Sequence, residues 1–140
     1  MKRAGFTMIE LIFVIVILGI LSAVALPKFL GVSEQAQAGK CKGYVGTLNR
    51  TVLPALWSNM VLNNENATTA ITGDTLGAQA TPPEGCGTAA QFAAAANAGT
   101  GFTVYPAGAG DGSTATGSAY DVNGTAATVS VSPIIVWSKQ

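Results

Sequence analysis

The feature that most constrains this chain is an apolar run from Phe6 to Leu26, in which Glu10 is the one strongly polar side chain. As an α-helix at ~1.5 Å per residue, the run is roughly 32 Å long, enough to cross a hydrocarbon layer of about 30 Å. A carboxylate at the centre of a bilayer costs about 2.5 kcal/mol or more, so such a group usually has a partner and a role. The sequence therefore predicts a membrane-spanning helix and a specific use for Glu10.

A short basic segment, residues 1–5, precedes the apolar run and carries Lys2 and Arg3. Lysine and arginine beside a membrane-spanning helix favour the cytoplasmic side. We therefore expect the N-terminus in the cytoplasm and the chain after Pro27 on the other side of the membrane.

The charge of Glu10 has no obvious counterpart in the uncut chain. Lys2 and Arg3 lie one helical turn or more before it, at the expected membrane boundary, and nothing within helical reach is expected to neutralise the carboxylate. Cleavage after Gly5 would remove both cations and create an α-amino group on Phe6. That amine could pair with Glu10 of the same chain or of a staggered neighbour.

Residues 5–10, Gly-Phe-Thr-Met-Ile-Glu, with the apolar run that ends at Pro27, resemble the signature of type IV prepilins. That family includes pilins, minor pilins and the pseudopilins of type II secretion and DNA-uptake machines. The resemblance implies that a prepilin peptidase cleaves between Gly5 and Phe6 and N-methylates Phe6. It also implies that Glu10 attracts the Phe6 amine of the next subunit during assembly.

The resemblance implies three segments and an assembly pathway. Residues 1–5 would be a cleaved leader, residues 6–29 a helix in inner-membrane lipid and later in a filament core, and residues 30–140 a periplasmic or extracellular head. The chain would be the structural subunit of a homo-oligomeric, helical, type IV pilus-like filament built on an inner-membrane assembly platform. A pseudopilin of a type II secretion or DNA-uptake system is the alternative, because nothing after residue 30 is typical of one machine.

Two further interpretations of the apolar run stay open. A secretory signal peptide would end at a small-residue cleavage site, Ala23-Val24-Ala25, although the run is long for such a peptide. A plain single-pass anchor would carry Glu10 as a favourable acid in the first turn of its helix. A secreted or membrane-tethered binding module that does not polymerise is therefore the third candidate function.

The helix is expected to continue past the membrane and to acquire a single apolar face. Gly19 and Pro27 are its weak points, because one lacks a side chain and the other a backbone donor, and a kink is predicted near them. Pro54 should loosen the last turns, and Asn63-Asn64 marks the predicted end. The apolar stripe of the second half consists of Cys41, Val45, Leu48, Val52 and Leu56, at helical spacing.

The rest of the chain predicts a connecting region, a short helix and a small sheet. Residues 63–87 are rich in Asn, Thr and Gly, and Pro82-Pro83 excludes a continuous helix there. Thr88 is expected to cap a short helix that runs to Asn97 and stops at Gly99. The predicted strands are 102–105, 119–122 and 125–131, with Asn123-Gly124 as a hairpin turn between the last two, and an edge strand, 134–137.

These elements predict an α+β fold. A long N-terminal helix, membrane-spanning in its first half and amphipathic in its second, packs on a C-terminal antiparallel sheet of three or four strands. That arrangement agrees with the pilin fold that the N-terminus resembles. Cys41 and Cys86 are the only cysteines and lie on the non-cytoplasmic side, where disulfides form, so we expect them to pair.

The composition argues against an enzyme. Histidine is absent, and the sequence contains no catalytic triad, zinc-spaced cysteine motif or phosphate loop, so no catalytic or metal-binding residue is predicted. Lys plus Arg equals Asp plus Glu, seven each, which gives no sign of a nucleic-acid surface. No cofactor is predicted. Calcium is the ion that would suit Asp74, Asp111 and Asp121, which fall in or near predicted loops, but these acids form no recognisable binding loop.

Overall fold

A computed structural model describes residues 5–106, 118–128 and 130–140, with the side chain of Leu30 excluded. The chain divides into two compact units, Met1–Ser33 and Glu34–Gln140. Helix α1 (Met8–Thr47) begins in the first unit and ends in the second. Residues 107–117, which follow the first predicted strand, and the leader residues 1–4 lie outside the described residues.

The irregular turn of the helical run lies just before Pro54, and not in the last turns that were expected to loosen. A π-helical turn, Leu48–Val52, follows α1, and helix α2 (Leu53–Asn63) follows the turn. Pro54 has no N–H to donate to the carbonyl of Arg50, and the wider turn accommodates this missing bond: the Leu53 N–H bonds to the Leu48 carbonyl, five residues back. The run ends where predicted, because Asn64 adopts the left-handed conformation (φ 53°) that closes α2.

The region predicted only as a connection contains two short helices, α3 (Ala67–Ala70) and α4 (Gly73–Gln79). A capping box formed by Thr72 and Thr75 starts α4, and tertiary burial of Ile71 and Leu76 holds this region against the core. Both helices end before the two prolines that were expected to exclude a continuous helix.

Helix α5 (Ala89–Ala98) confirms the predicted short helix and both of its end signals. The Thr88 hydroxyl accepts the N–H of Gln91, and the Gln91 side chain accepts the N–H of Thr88, which completes a capping box. Gly99 closes the helix with φ 68°, a conformation that favours glycine.

Within the described residues, the sheet has three antiparallel strands in the order β1-β2-β3: β1 (Phe102–Val104), β2 (Tyr120–Thr125) and β3 (Ile134–Lys139). The α+β class, the antiparallel pairing and the strand count therefore agree with the sequence-based expectation. In the central pairings, Val122 lies opposite Phe102 on one side and opposite Trp137 on the other.

The predicted hairpin turn at Asn123-Gly124 is wrong, because both residues lie inside β2. Neither has the positive φ that a type I′ turn requires. A Cβ at position 124 would overlap the carbonyl of Ala95 on α5, so the glycine serves the close packing of β2 on that helix.

The segment predicted as a strand at 125–131 is also different. Residues 126–128 have no regular structure, and Thr128 and Val131 exchange two backbone hydrogen bonds in the turn that leads toward β3. Val129 lies outside the described residues, and Val131 is half exposed.

The core of the second unit lies between the helical run, α5 and the sheet. All five members of the predicted stripe are at most 5% exposed, so the stripe is confirmed. Phe92 of α5 is fully buried at the centre and packs edge-to-face on Tyr44 and Phe102. Its ring centroid lies 5.1 Å from that of Tyr44 and 5.2 Å from that of Phe102. Burying each large apolar side chain contributes about 1.5–3 kcal/mol.

The predicted Cys41–Cys86 pair forms a disulfide, with the two Cα atoms 5.3 Å apart. Both cysteines are fully buried. Gly85 and Gly87, on either side of Cys86, have φ values of 80° and 101°, so these glycines allow the loop to turn and bring Cys86 to α1. The bridge joins the start of the amphipathic stripe to the connecting region.

Candidate functional site

The candidate site is the surface of the first unit, because its apolar side chains have no cover within the structure. The helical run Met8–Asn63 contains an 18-residue window of mean hydropathy 2.9, and none of that window is buried. The run is therefore long and apolar enough to cross a membrane. The large apolar side chains from Phe6 to Val32 that the structure describes are 40–80% exposed, and a soluble protein rarely leaves so large an apolar surface in water.

The predicted cleavage point lies in an exposed, non-helical stretch. Gly5, Phe6 and Thr7 precede the first helical residue, and all three are exposed. A Cβ at Gly5 would meet no atom within 4 Å, and the Phe6 side chain is 80% exposed. An accessible bond at Gly5–Phe6, outside the helix, is the geometry that a peptidase needs, although cleavage there stays a prediction.

Glu10 has a local partner that the sequence analysis missed. Thr7 caps α1: its hydroxyl accepts the Glu10 N–H at 3.4 Å, while its own N–H (3.5 Å) and hydroxyl (3.4 Å) donate to Glu10 Oε2. This is the reciprocal arrangement of a capping box, with long hydrogen bonds. The Thr-x-x-Glu spacing at 7–10 is a sequence signal that could have revealed it.

The capping box changes how Glu10 should be understood. The carboxylate has hydrogen-bond donors within one turn, which the sequence-based expectation about its charge did not include. Thr7 carries no charge, however, and hydrogen bonds from it leave the negative charge of Glu10 uncompensated. The first turn of a helix favours that charge, as the plain-anchor interpretation held, and a cationic partner would add to this stabilisation.

The helix continues through both predicted weak points. Gly19 and Pro27 lie inside α1, and Pro27 leaves the carbonyl of Ala23 without its usual helical donor. A Cβ at Gly19 would meet nothing within 4 Å, so the glycine leaves open space on the helix surface. A bend at these residues stays a prediction.

Among the residues that the structure describes, no group of three or more Cys, Asp or Glu side chains could hold a metal ion. Asp74 lies in the first turn of α4. Asp121 is held in β2, where its Oδ1 accepts from the Thr103 hydroxyl (2.9 Å) and the Gln140 amide (2.6 Å). Asp74 thus belongs to a helix and Asp121 to a strand, while Asp111 lies outside the described residues.

Glu34 and Tyr44, both in the head, have shifted pKa values. The hydroxyl and backbone N–H of Ser118 both hydrogen-bond to the Glu34 carboxylate and hold its pKa below the usual value of 4.5, and Lys139 contributes in the same direction. The bond from the Ser118 N–H is 2.7 Å long. Burial raises the pKa of Tyr44 to about 12, and its hydroxyl donates to the Ala80 carbonyl at 2.9 Å.

Three side chains in the head make long-range hydrogen bonds to the backbone that no local sequence pattern predicts. Asn49 bonds to the backbone of Ile135, and Asn97 donates to the Ile71 carbonyl at 2.7 Å. The Trp57 indole donates to the Thr128 carbonyl at 2.8 Å. Each contact spans 26 residues or more along the chain, so only the tertiary structure could reveal it.

Comparisons with known proteins agree with the resemblance at the N-terminus. Residues 1–26 match the family described as the prokaryotic N-terminal methylation motif. The chain is also 56% identical, over 36 residues, to the type IV narrow pilus major component PilA5 of Thermus thermophilus. That match covers 26% of this chain and 31% of the relative.

The family match covers residues 1–26, and the stretch matched by the relative is 36 residues long. No solved structure matches the chain. The methylation motif, the similarity to a type IV pilus protein, the apolar helix and the α+β fold together support a type IV prepilin-like family.

Proposed function

We propose that this chain, a type IV prepilin-like protein by its N-terminal motif, is the structural subunit of a type IV pilus-like filament. The observation that carries the proposal is the exposed apolar surface of the first unit, joined to a motif for N-terminal methylation. A surface of this kind is covered by lipid before assembly and by the helices of other subunits afterwards. The similarity to a pilus major component supports a pilin-type subunit, and the pseudopilin of a secretion or DNA-uptake system is the alternative, because the match is only 36 residues long.

In the proposed mechanism, cleavage of the exposed Gly5–Phe6 bond by a prepilin peptidase releases the basic leader and leaves Phe6 with a free amine, which is then N-methylated. The Thr7 capping box holds the Glu10 carboxylate at the start of α1, where an amine from a staggered neighbour can approach it. The resulting ion pair lies in a medium of low dielectric constant, where charge attraction is strong and an unpaired charge is costly.

The ion pair would set the register of the helices more than their affinity. Lipid tails are as apolar as the side chains of α1, so leaving lipid for a helix bundle yields little hydrophobic free energy. Close packing and the charge pair must therefore decide which subunit arrangement forms. The chain would reside in the inner membrane with its N-terminus cytoplasmic, assemble on a membrane platform, and carry the heads on the outside of the filament.

The variant Glu10→Gln tests this mechanism, because glutamine keeps the acceptor that the capping box uses while removing the charge. We expect the variant to be cleaved after Gly5 and inserted in the membrane normally, and to assemble at least about tenfold less filament, the effect of losing roughly 1.4 kcal/mol per contact. Filament recovered by shearing cells, and N-terminal sequencing of the membrane fraction, measure the two quantities. Glu65→Gln, at an exposed position of the head, is the matched control.

Thr7→Ala is the second variant, because it removes the helix cap and keeps the charge of Glu10. Normal filament from Glu10→Gln together with poor filament from Thr7→Ala would assign Glu10 to helix capping alone and refute the charge pair. A mature chain that begins at Met1 would refute processing, and one that begins at Leu26 would identify a secreted module instead.

A further inference from the structure

Strand β3 presents a surface that other chains could pair with. In the part of the chain that the structure describes, β3 is paired with β2 alone and ends the order β1-β2-β3. Its first four residues, 134–137, are Ile-Ile-Val-Trp, uncharged and of high β-propensity. Ile134 and Val136 are 53% and 54% exposed on the outer face. A free edge of this composition is a site for strand pairing and aggregation.

Asn49 occupies that edge from the helical side. The Ile135 N–H donates to Asn49 Oδ1 at 2.8 Å, and Asn49 Nδ2 donates to the Ile135 carbonyl at 2.7 Å. A residue of an adjoining antiparallel strand would exchange the same two bonds with Ile135. The carboxamide thus takes the place of one residue of a neighbouring strand.

The π-helical turn explains why Asn49 reaches the strand. Asn49 is the second residue of the turn Leu48–Val52, whose first and last residues are buried in the core beneath the sheet. Pro54, which lacks an N–H, lies two residues after this turn. An amide side chain of the turn thus lies against β3, and no pattern within either segment shows this alone.

We propose that the Asn49 carboxamide closes the free edge of β3 against pairing with the β3 strand of a second copy of this chain. Two other residues close the ends of the same edge: Pro133 lacks an N–H to donate, and Lys139 brings a charge. A second β3 is the occupant that fits, because an antiparallel pair of residues 134–137 would bring together uncharged segments with no repulsion. This block prevents the heads from associating through β3, whatever the first unit assembles into.

The test uses the full chain purified in detergent micelles, with Asn49→Ala as the variant and Thr51→Ala as the control. Thr51 is exposed in the same π-helical turn, and its hydroxyl bonds only within the helix, to the Thr47 carbonyl at 2.8 Å. We expect Asn49→Ala to form intermolecular β-structure at protein concentrations about tenfold or more below the parent chain, since two backbone hydrogen bonds become available to each partner. Size-exclusion chromatography and the infrared amide I band measure this.

A second variant separates strand pairing from unfolding. Adding Val136→Lys to Asn49→Ala places a charge on the edge and is expected to return the association threshold to that of the parent chain. Association of the double variant at the same low concentration would show that the exposed core, not the strand edge, drives it, and would overturn the proposal. A threshold for Asn49→Ala equal to that of Thr51→Ala would overturn it as well.

Discussion

Replacing both cysteines of the Cys41–Cys86 bridge by alanine should remove much of the stability of the head. The bridge joins residues 45 positions apart. In the loop-closure treatment, a closed loop of that length lowers the entropy of the unfolded chain enough to stabilise the fold by about 4 kcal/mol. A domain of this size has a total stability of about 5–15 kcal/mol, so the loss is large.

Urea denaturation followed by tryptophan fluorescence is the assay, because Trp57 and Trp137 both belong to the second unit and report on it alone. With a urea dependence of about 2 kcal/mol per molar, a loss of about 4 kcal/mol lowers the midpoint by roughly 2 M. Far-ultraviolet circular dichroism is a poorer probe here, since the apolar helix in micelles contributes a large signal that the head does not control.

The parent chain, reduced in urea and refolded with reductant present, is the matched control. It keeps both sulfur atoms in the core, so its midpoint isolates loop closure from the volume lost in the alanine variant. A reduced chain that unfolds within about 0.5 M of the oxidised one would refute the estimate, since such a shift corresponds to about 1 kcal/mol. Free thiols in the native, unreduced protein would refute the bridge itself.

Two further measurements address the packing and electrostatics of the head. Gly124→Ala should destabilise the head by about 1–3 kcal/mol, because the added Cβ overlaps the Ala95 carbonyl. Gly77→Ala in α4 should be neutral or slightly stabilising, because its Cβ would meet one methyl group at 3.4 Å. Equal denaturation midpoints for the two variants would contradict this packing. Because folding lowers the pKa of Glu34, its contribution is present above pH 4.5 and is lost as the pH falls through the lower folded-state pKa. Glu34→Gln should therefore be less stable than the parent chain at pH 7 and should approach it below pH 4.5, and a difference that stays constant with pH would contradict the Ser118 contact.

The features that local patterns determine were predictable from the sequence. The apolar run, the buried stripe from Cys41 to Leu56, and the caps of α5 at Thr88 and Gly99 each depend on residues close together in the chain. Helix periodicity, side-chain caps and a missing N–H act within one or two turns. The motif at residues 5–10 is another locally determined feature. The Thr7–Glu10 capping box is one as well, because its Thr-x-x-Glu spacing is visible in the sequence.

The tertiary structure alone decided where polar side chains and glycines are used. Asn123-Gly124 has the composition of a turn, yet it lies in β2, because contact with α5 at Ala95 outweighs the local preference. Asn49 bonds to a strand 86 residues away. Such contacts form only when distant segments pack, and their free energy depends on a geometry that no neighbouring residue encodes. The sequence by itself therefore determined the helix, its apolar segment and its buried face, while packing determined the strand boundaries and the Asn49–Ile135 contact at the edge of the sheet.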